Sequence, residues 1–149
     1  MAENKKNLSY TSSVGRRKAA VARVRLYPKV PDNLMIGDQL LKKGEVVVNG
    51  KEISAYFKSN VAKIMYEKPF QVTNTLNKFG ISIRVTGGGQ NSQLDATILA
   101  ISRALSGVDS SFKEILRKKG LLTVDQKVRE RRKVGTGGKA RRTKQSPKR

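Results

Sequence analysis

Residues 80–108 read GISIRVTGGGQNSQLDATILAISRALSGV, and this stretch decides the fold. Ile81, Ile83 and Val85 alternate with Ser82, Arg84 and Thr86, the period of a strand with one apolar and one polar face. Gly87, Gly88 and Gly89 then break the strand. Beyond them Leu94, Ile98, Ile101 and Leu105 recur at the spacing of a single helical stripe. Ala96, Ala100 and Ala104 form a second, small-residue ridge suited to close packing, and Gly107 is expected to end the helix. A strand that turns through glycines into a long amphipathic helix is the unit of a mixed α/β layer.

Working outward, residues 10–28, YTSSVGRRKAAVARVRLYP, read as one or two strands. Ala20, Ala22, Val24 and Leu26 share one face, and Val21, Arg23, Arg25 and Tyr27 share the other. The sheet therefore sets one face on a core and shows arginine on its opposite side. Residues 28–44 contain two prolines and mixed polarity, a connecting excursion with a short helix expected over Leu34 to Leu41. Asn49-Gly50 between Glu45–Val48 and Lys51–Ile53 predicts a two-residue hairpin turn. Val61, Ile64 and Met65 mark a short helix expected to stop before Pro69, with a further helical segment around Val72 to Phe79. Asp109 or Ser111 opens the next helix, Ser111 and Glu114 stand at capping-box spacing, and Gly120 closes it. No internal repeat is visible.

Composition narrows the chemistry. The 149 residues include 32 Lys plus Arg against 11 Asp plus Glu, a formal charge of +21, with no His and no Cys. Without imidazole or thiol there is no Ser-His-Asp triad, thiol nucleophile, zinc site of the usual kind or disulfide. No stretch approaches a membrane span and the start lacks a signal peptide's apolar run, so a cytoplasmic protein without cofactor, metal or membrane partner is expected. Residues 1–116 carry a net +9 and residues 117–149 a net +12. Less than a quarter of the chain thus holds more than half of the excess charge, and an anionic partner is implied. The last 17 residues, KVGTGGKARRTKQSPKR, have seven basic side chains, no acid and only Val134 and Ala140 as apolar ones. Alone, such a segment is expected to be disordered and to order on a polyanion. The domain plan is a flexible 1–9, a globular 10–122 and a basic extension over 123–149.

The glycine turn admits two readings: a tight strand-to-helix connection, or an anion site in which the helix's free N–H groups meet phosphate. A nucleotide pocket, as in small-molecule kinases, is the alternative function for Gly87–Gly89, but no Gly-Lys-Ser or Gly-Lys-Thr follows. Asp95, Asp109, Glu114 and Asp125 stand singly, without the paired carboxylates that acid–base catalysis needs, so no catalytic residue is assigned.

The ordered set VGRRKAAVARVRL, VVVNGKEISAYF, GGGQNSQLDATILAISRAL, LRKKGLLTVDQKVRERRKVG and the terminal KARR…KR resembles the family of small ribosomal subunit protein nine over residues 10–149. The resemblance implies a two-layer α/β sandwich like the second domain of ribosomal protein S-five: a four-stranded sheet, helices on one face and a left-handed crossover. It implies binding of small-subunit ribosomal RNA in the head beside neighbouring head proteins, with the tail running toward peptidyl-site tRNA and no homo-oligomer. Arg16, Arg17, Lys18 and Arg23 match the family's basic N-terminal motif; with Arg25 and Gly88 they are the expected ribosomal-RNA ligands of the folded part. Arg129, Arg131, Arg132 and Lys133 match the stretch before the tail, and Lys139, Arg141 and Arg142 the tail entry. Lys144, Lys148 and Arg149 are the implied tRNA contacts, the last two at the family's terminal pair. Pro28 to Gly44 is longer than the turn usual in bacterial members, Gly137-Gly138 stands where basic residues are common, and Pro147 precedes the terminal pair.

Overall fold

The alternation at Ala20, Ala22, Val24 and Leu26 yields strand β2 (Ala20–Tyr27), and all four residues are essentially inaccessible. The computed structural model describes residues 9–30, 34–36 and 39–135. Residues 10–28 resolve into two strands, because Lys18 takes a positive φ of 51° and turns β1 (Thr11–Arg17) back onto β2. The two pair antiparallel, Thr11 opposite Leu26 through Arg17 opposite Ala20.

On its other edge β2 pairs antiparallel with β7 (Gly80–Thr86), placing Arg23 opposite Arg84 and Arg25 opposite Ser82. Ile81, Ile83 and Val85 are buried, as their spacing predicts. Strand β5 (Val46–Val48) joins β7 in parallel and pairs with the two-residue β6 (Lys51–Glu52), giving the order β1-β2-β7-β5-β6. The expected sheet of four strands thus has a fifth, because the Asn49-Gly50 turn returns a short edge strand. Both turn residues have positive φ, 48° and 75°. The Asn49 side chain also continues the ladder, its Nδ2 donating to Val85 O and its Oδ1 accepting from Val85 N, both at 2.9 Å.

Helix α3 (Gln90–Val108) crosses the face that bears Ala20 and Ile83. It runs one residue past Gly107, the expected end, where Asp109 N–H donates to Leu105 O. The Leu94, Ile98, Ile101, Leu105 stripe is buried, and so is the alanine ridge. That ridge meets β1 at Gly15, where an added Cβ would fall 2.0 Å from Ala96 O and 2.7 Å from Ala100 N. Backbone-to-backbone approach of this kind is what the small residues make possible.

Three expected segments differ. Leu34 to Leu41 holds a hairpin rather than a helix, β3 (Met35–Ile36) with β4 (Gln39–Leu40). An eight-residue helix is marginal alone, whereas the hairpin lets Leu41, Leu34 and Ile36 pack with Tyr27 and Val47 in a second apolar cluster. After α1 (Ile53–Tyr56), helix α2 (Asn60–Val72) continues through Pro69 instead of stopping before it. Its buried side is Ala62, Tyr66, Pro69 and Phe70, while Val61 and Ile64 are about two-thirds exposed. Residues 73–79 form turns, not the expected helix, since Asn74 and Asn77 adopt positive φ of 52° and 58°.

Helix α4 (Ser111–Lys118) begins where the Asp109 carboxylate accepts the Ser111 N–H at 2.9 Å. Of the two proposed openers Asp109 does the work, and Ser111 is itself helical, so the Ser111–Glu114 capping box does not form. At its other end Gly120 N–H reaches Arg117 O and Leu121 N–H reaches Leu116 O, both at 3.0 Å, the paired bonds of a glycine-closed helix. Residues 123–135 contain no helix or strand.

Candidate nucleic-acid interface

The strand parity that buries Ala20 and Ile83 turns another set of side chains outward. From β1 come Ser12, Val14 and Arg16, from β2 Arg23 and Arg25, and from β7 Ser82, Arg84 and Thr86. Most of them, with Tyr10, Asn49 and Gly50, line an open groove of about 950 Å3 whose lining, among the described residues, includes no acid. Arg23 and Arg84 face each other across adjacent strands, and neither has an ion-pair partner among the described residues. Like charges placed directly opposite cost stability in a sheet, so this face gains whenever an anion lies between them. At its end the Arg25 guanidinium sits 5.3 Å from the centroid of Tyr10, whose ring packs on Tyr27 at 5.7 Å. An aromatic ring half exposed beside arginines suits a nucleobase as well as a phosphate.

Of the sequence-derived ligands, Arg16, Lys18, Arg23 and Arg25 are exposed. Arg16, Arg23 and Arg25 share the outer face. Arg17 belongs to the opposite side of β1, where Nε lies 3.3 Å from Asp95 Oδ2 and Nη1 pairs with the Asp125 carboxylate. Nη1 also donates to the Asp125 carbonyl at 2.7 Å. The hydrogen bond from Arg17 holds the Asp125 carboxyl below the usual carboxylate range, and the same bond raises the guanidinium pKa. Asp95 and Asp125, single in the sequence, are thus brought together on one cation. The Lys18 N–H donates to Gln126 O alongside, so residues 125 and 126 are tied to the β1–β2 turn.

Gly88 is exposed with φ 68°, and a Cβ there would meet Ala20 Cβ at 2.8 Å; one at Gly87 would meet Ala19 O at 2.4 Å. The packing of this turn on Ala19 and Ala20 explains glycine at both positions. Gln93 Nε2 closes it from α3 by donating to Gly87 O at 3.0 Å. Among the described residues no group of His, Cys, Asp or Glu is placed to hold a metal ion. Arg129, Arg131, Arg132 and Lys133 are exposed in the extended segment after α4. Lys139, Arg141, Arg142, Lys144, Lys148 and Arg149 lie outside the described residues.

Sequence reasoning missed Arg84 and Tyr10 as members of the surface. Arg84 was legible as outward-facing, but only the β2–β7 register brings it against Arg23.

A family profile described as Ribosomal protein S9/S16 matches residues 15–149. The chain belongs to that family. Relatives named small ribosomal subunit protein uS9 come from three bacteria. The protein of Cytophaga hutchinsonii is 40% identical over 83% of this chain and 87% of its own length. That of Methylacidiphilum infernorum is 40% identical over 87% and 86%, and that of Maridesulfovibrio salexigens 38% over 87% and 89%. The S9/S16 match begins at Gly15 and takes in Arg16, β2, the glycine turn and the whole basic extension.

Proposed function

We propose that this chain is a non-enzymatic structural constituent of the small ribosomal subunit in the cytoplasm. It binds small-subunit ribosomal RNA of the head on the outer face of its sheet, beside neighbouring head proteins. Residues 123–149 run from residues 10–122 as a basic extension whose Lys144, Lys148 and Arg149 contact peptidyl-site tRNA. Family membership supports the ribosomal assignment. The observation that carries the RNA surface is the outer face on which Arg23 opposes Arg84 with no acid beside them among the described residues. Arg16, Lys18, Arg23, Arg25 and Gly88 serve that surface, and Arg129, Arg131, Arg132, Lys133, Lys139, Arg141 and Arg142 carry contact into the extension. Arg17 serves it indirectly, by fixing residues 125 and 126 next to β1. The likeness to the second domain of ribosomal protein S-five is supported by the parallel β5–β7 pair, joined through α1 and α2, for which a left-handed crossover is expected.

Sucrose-gradient sedimentation of lysate containing the tagged chain tests the assignment, with a second chain ending at Lys133 for comparison. Full-length protein should co-migrate with small subunits in high salt. Subunits holding the shortened chain should retain peptidyl-site tRNA less well. Protein that stays at the top of the gradient at moderate salt would overturn the ribosomal reading, and unchanged tRNA retention would remove the extension's assigned role.

A further inference from the structure

The acidic residues of this basic chain are unevenly placed. Of its 11, Glu45, Glu52 and Glu67 line one cavity of about 280 Å3 between α2 and the β5–β6 hairpin, with Lys63 the single basic residue of the lining. One oxygen of Glu45 accepts the Lys42 N–H at 3.0 Å. Glu52 and Glu67 form no ion pair among the described residues. Tyr66 lines the same cavity at 5% exposure, and its hydroxyl has no hydrogen-bond partner among the described residues. Burial, with Glu67 and Glu52 nearby, pushes that hydroxyl's pKa up, so it stays protonated. Phe70 and Phe79 supply apolar wall, and Leu76, half exposed, forms a rim. On α2, which supplies Lys63, Tyr66, Glu67 and Phe70 to the lining, Ile64 is two-thirds exposed.

These features select a ligand. Three carboxylates against one ammonium repel a nucleic-acid phosphate, and the cavity lies on the helix-covered side, away from the arginine face. Its volume of about 280 Å3 stands at the small end of the range of binding sites, room for one side chain. An aliphatic stem ending in a cation meets every part of it: apolar wall along the stem, carboxylates and an unpaired phenol oxygen at the tip. Exposed apolar side chains at the rim suit the residues flanking such a cation on a polypeptide.

We propose that this cavity receives an arginine or lysine side chain carried on an apolar segment of a neighbouring protein, making the α2 side of the domain a protein-docking surface. The inference rests on the small-subunit reading only for the supply of such a neighbour.

The test is amide NMR of the full chain, titrated with the capped peptide acetyl-Leu-Arg-Leu-amide and with the same peptide carrying neutral citrulline in place of arginine. Shifts confined to residues 45–54, 63–70 and 75–79 are expected for the arginine peptide, with binding at least about fivefold weaker for citrulline and for the Glu52→Gln/Glu67→Gln double variant. Equal binding of the two peptides, shifts scattered over the surface, or no shifts would overturn the proposal, and the citrulline comparison holds even if the variant misfolds. Titrating the same labelled protein with a ribosomal-RNA head fragment separates the two ideas. Peptide binding without RNA shifts on β1, β2 and β7 would sink the RNA surface alone, and the reverse pattern would sink the docking surface alone.

Discussion

Gly15 is the residue on which the two layers close. Its missing side chain lets β1 lie against the α3 backbone, so Gly15→Ala forces strand and helix apart with no flexible side chain to yield. Overpacking against backbone should cost about 3 kcal/mol or more, read as a lowered urea midpoint at unchanged slope. Thr97 presents the opposite case: it is fully buried and its hydroxyl has no hydrogen-bond partner among the described residues. Thr97→Val keeps the shape and removes the stranded polar atom, so stability should rise by about 1 kcal/mol; a fall in the midpoint would mean that a bound water satisfies the hydroxyl. The alanine ridge of α3 was legible as a close-packing surface, because small residues at helical spacing have little other use. Its partner was not, since nothing local marks Gly15 as lying beneath residues more than 80 positions away.

Among elements, legibility followed the number of faces that each one buries. β2 and β7 each bury one clear alternating face, and in α3 both the Leu94–Leu105 stripe and the alanine ridge are buried, so periodicity read their inward residues correctly. In α2 the side facing the core is Ala62, Tyr66, Pro69 and Phe70, a mixture weaker in hydropathy than the exposed Val61 and Ile64. The strongest apolar spacing therefore pointed the wrong way. The attachment of residues 125 and 126 was equally hidden, because Arg17 and Asp125 are 108 positions apart. That attachment makes a pH prediction. A carboxylate whose folded pKa is depressed contributes fully above its free value and loses the contribution as pH falls through the folded one. Asp125 should hold the segment at neutral pH and release it only below the ordinary aspartate value of about 3.9. The Lys18 amide, which donates to Gln126 O, is the reporter: its NMR shift should move in that acid window, and Asp125→Asn should abolish the transition. A Lys18 shift that titrates identically in the variant would assign the change to another carboxylate.

Across the whole molecule the charges are sorted by surface. Among the described residues the outer sheet face is cationic and without acid, three glutamates gather at the cavity behind it, and residues 125 and 126 are held beside β1 by Arg17 and the Lys18 amide. Under the two proposals above, such sorting puts RNA and a basic protein on different sides of the domain. For the proposed RNA binding it makes two contributions separately testable, that of the arginine face and that of the +12 carried by residues 117–149. Each phosphate neutralised steepens the fall of log affinity with log salt by about 0.7–0.9. Replacing Arg23, Arg25 and Arg84 together by alanine should therefore flatten the slope for a ribosomal-RNA head fragment by about 2 to 3. The same substitutions in a chain ending at Leu122 should flatten it by the same amount from a smaller starting slope, since the extension's contacts are then already gone. Additivity is the expected outcome if the face and the extension neutralise different phosphates. If the triple variant changed the slope only when the extension is present, the arginine face would be acting by guiding the extension rather than by touching RNA, and the opposition of Arg23 to Arg84 would have to be relieved some other way.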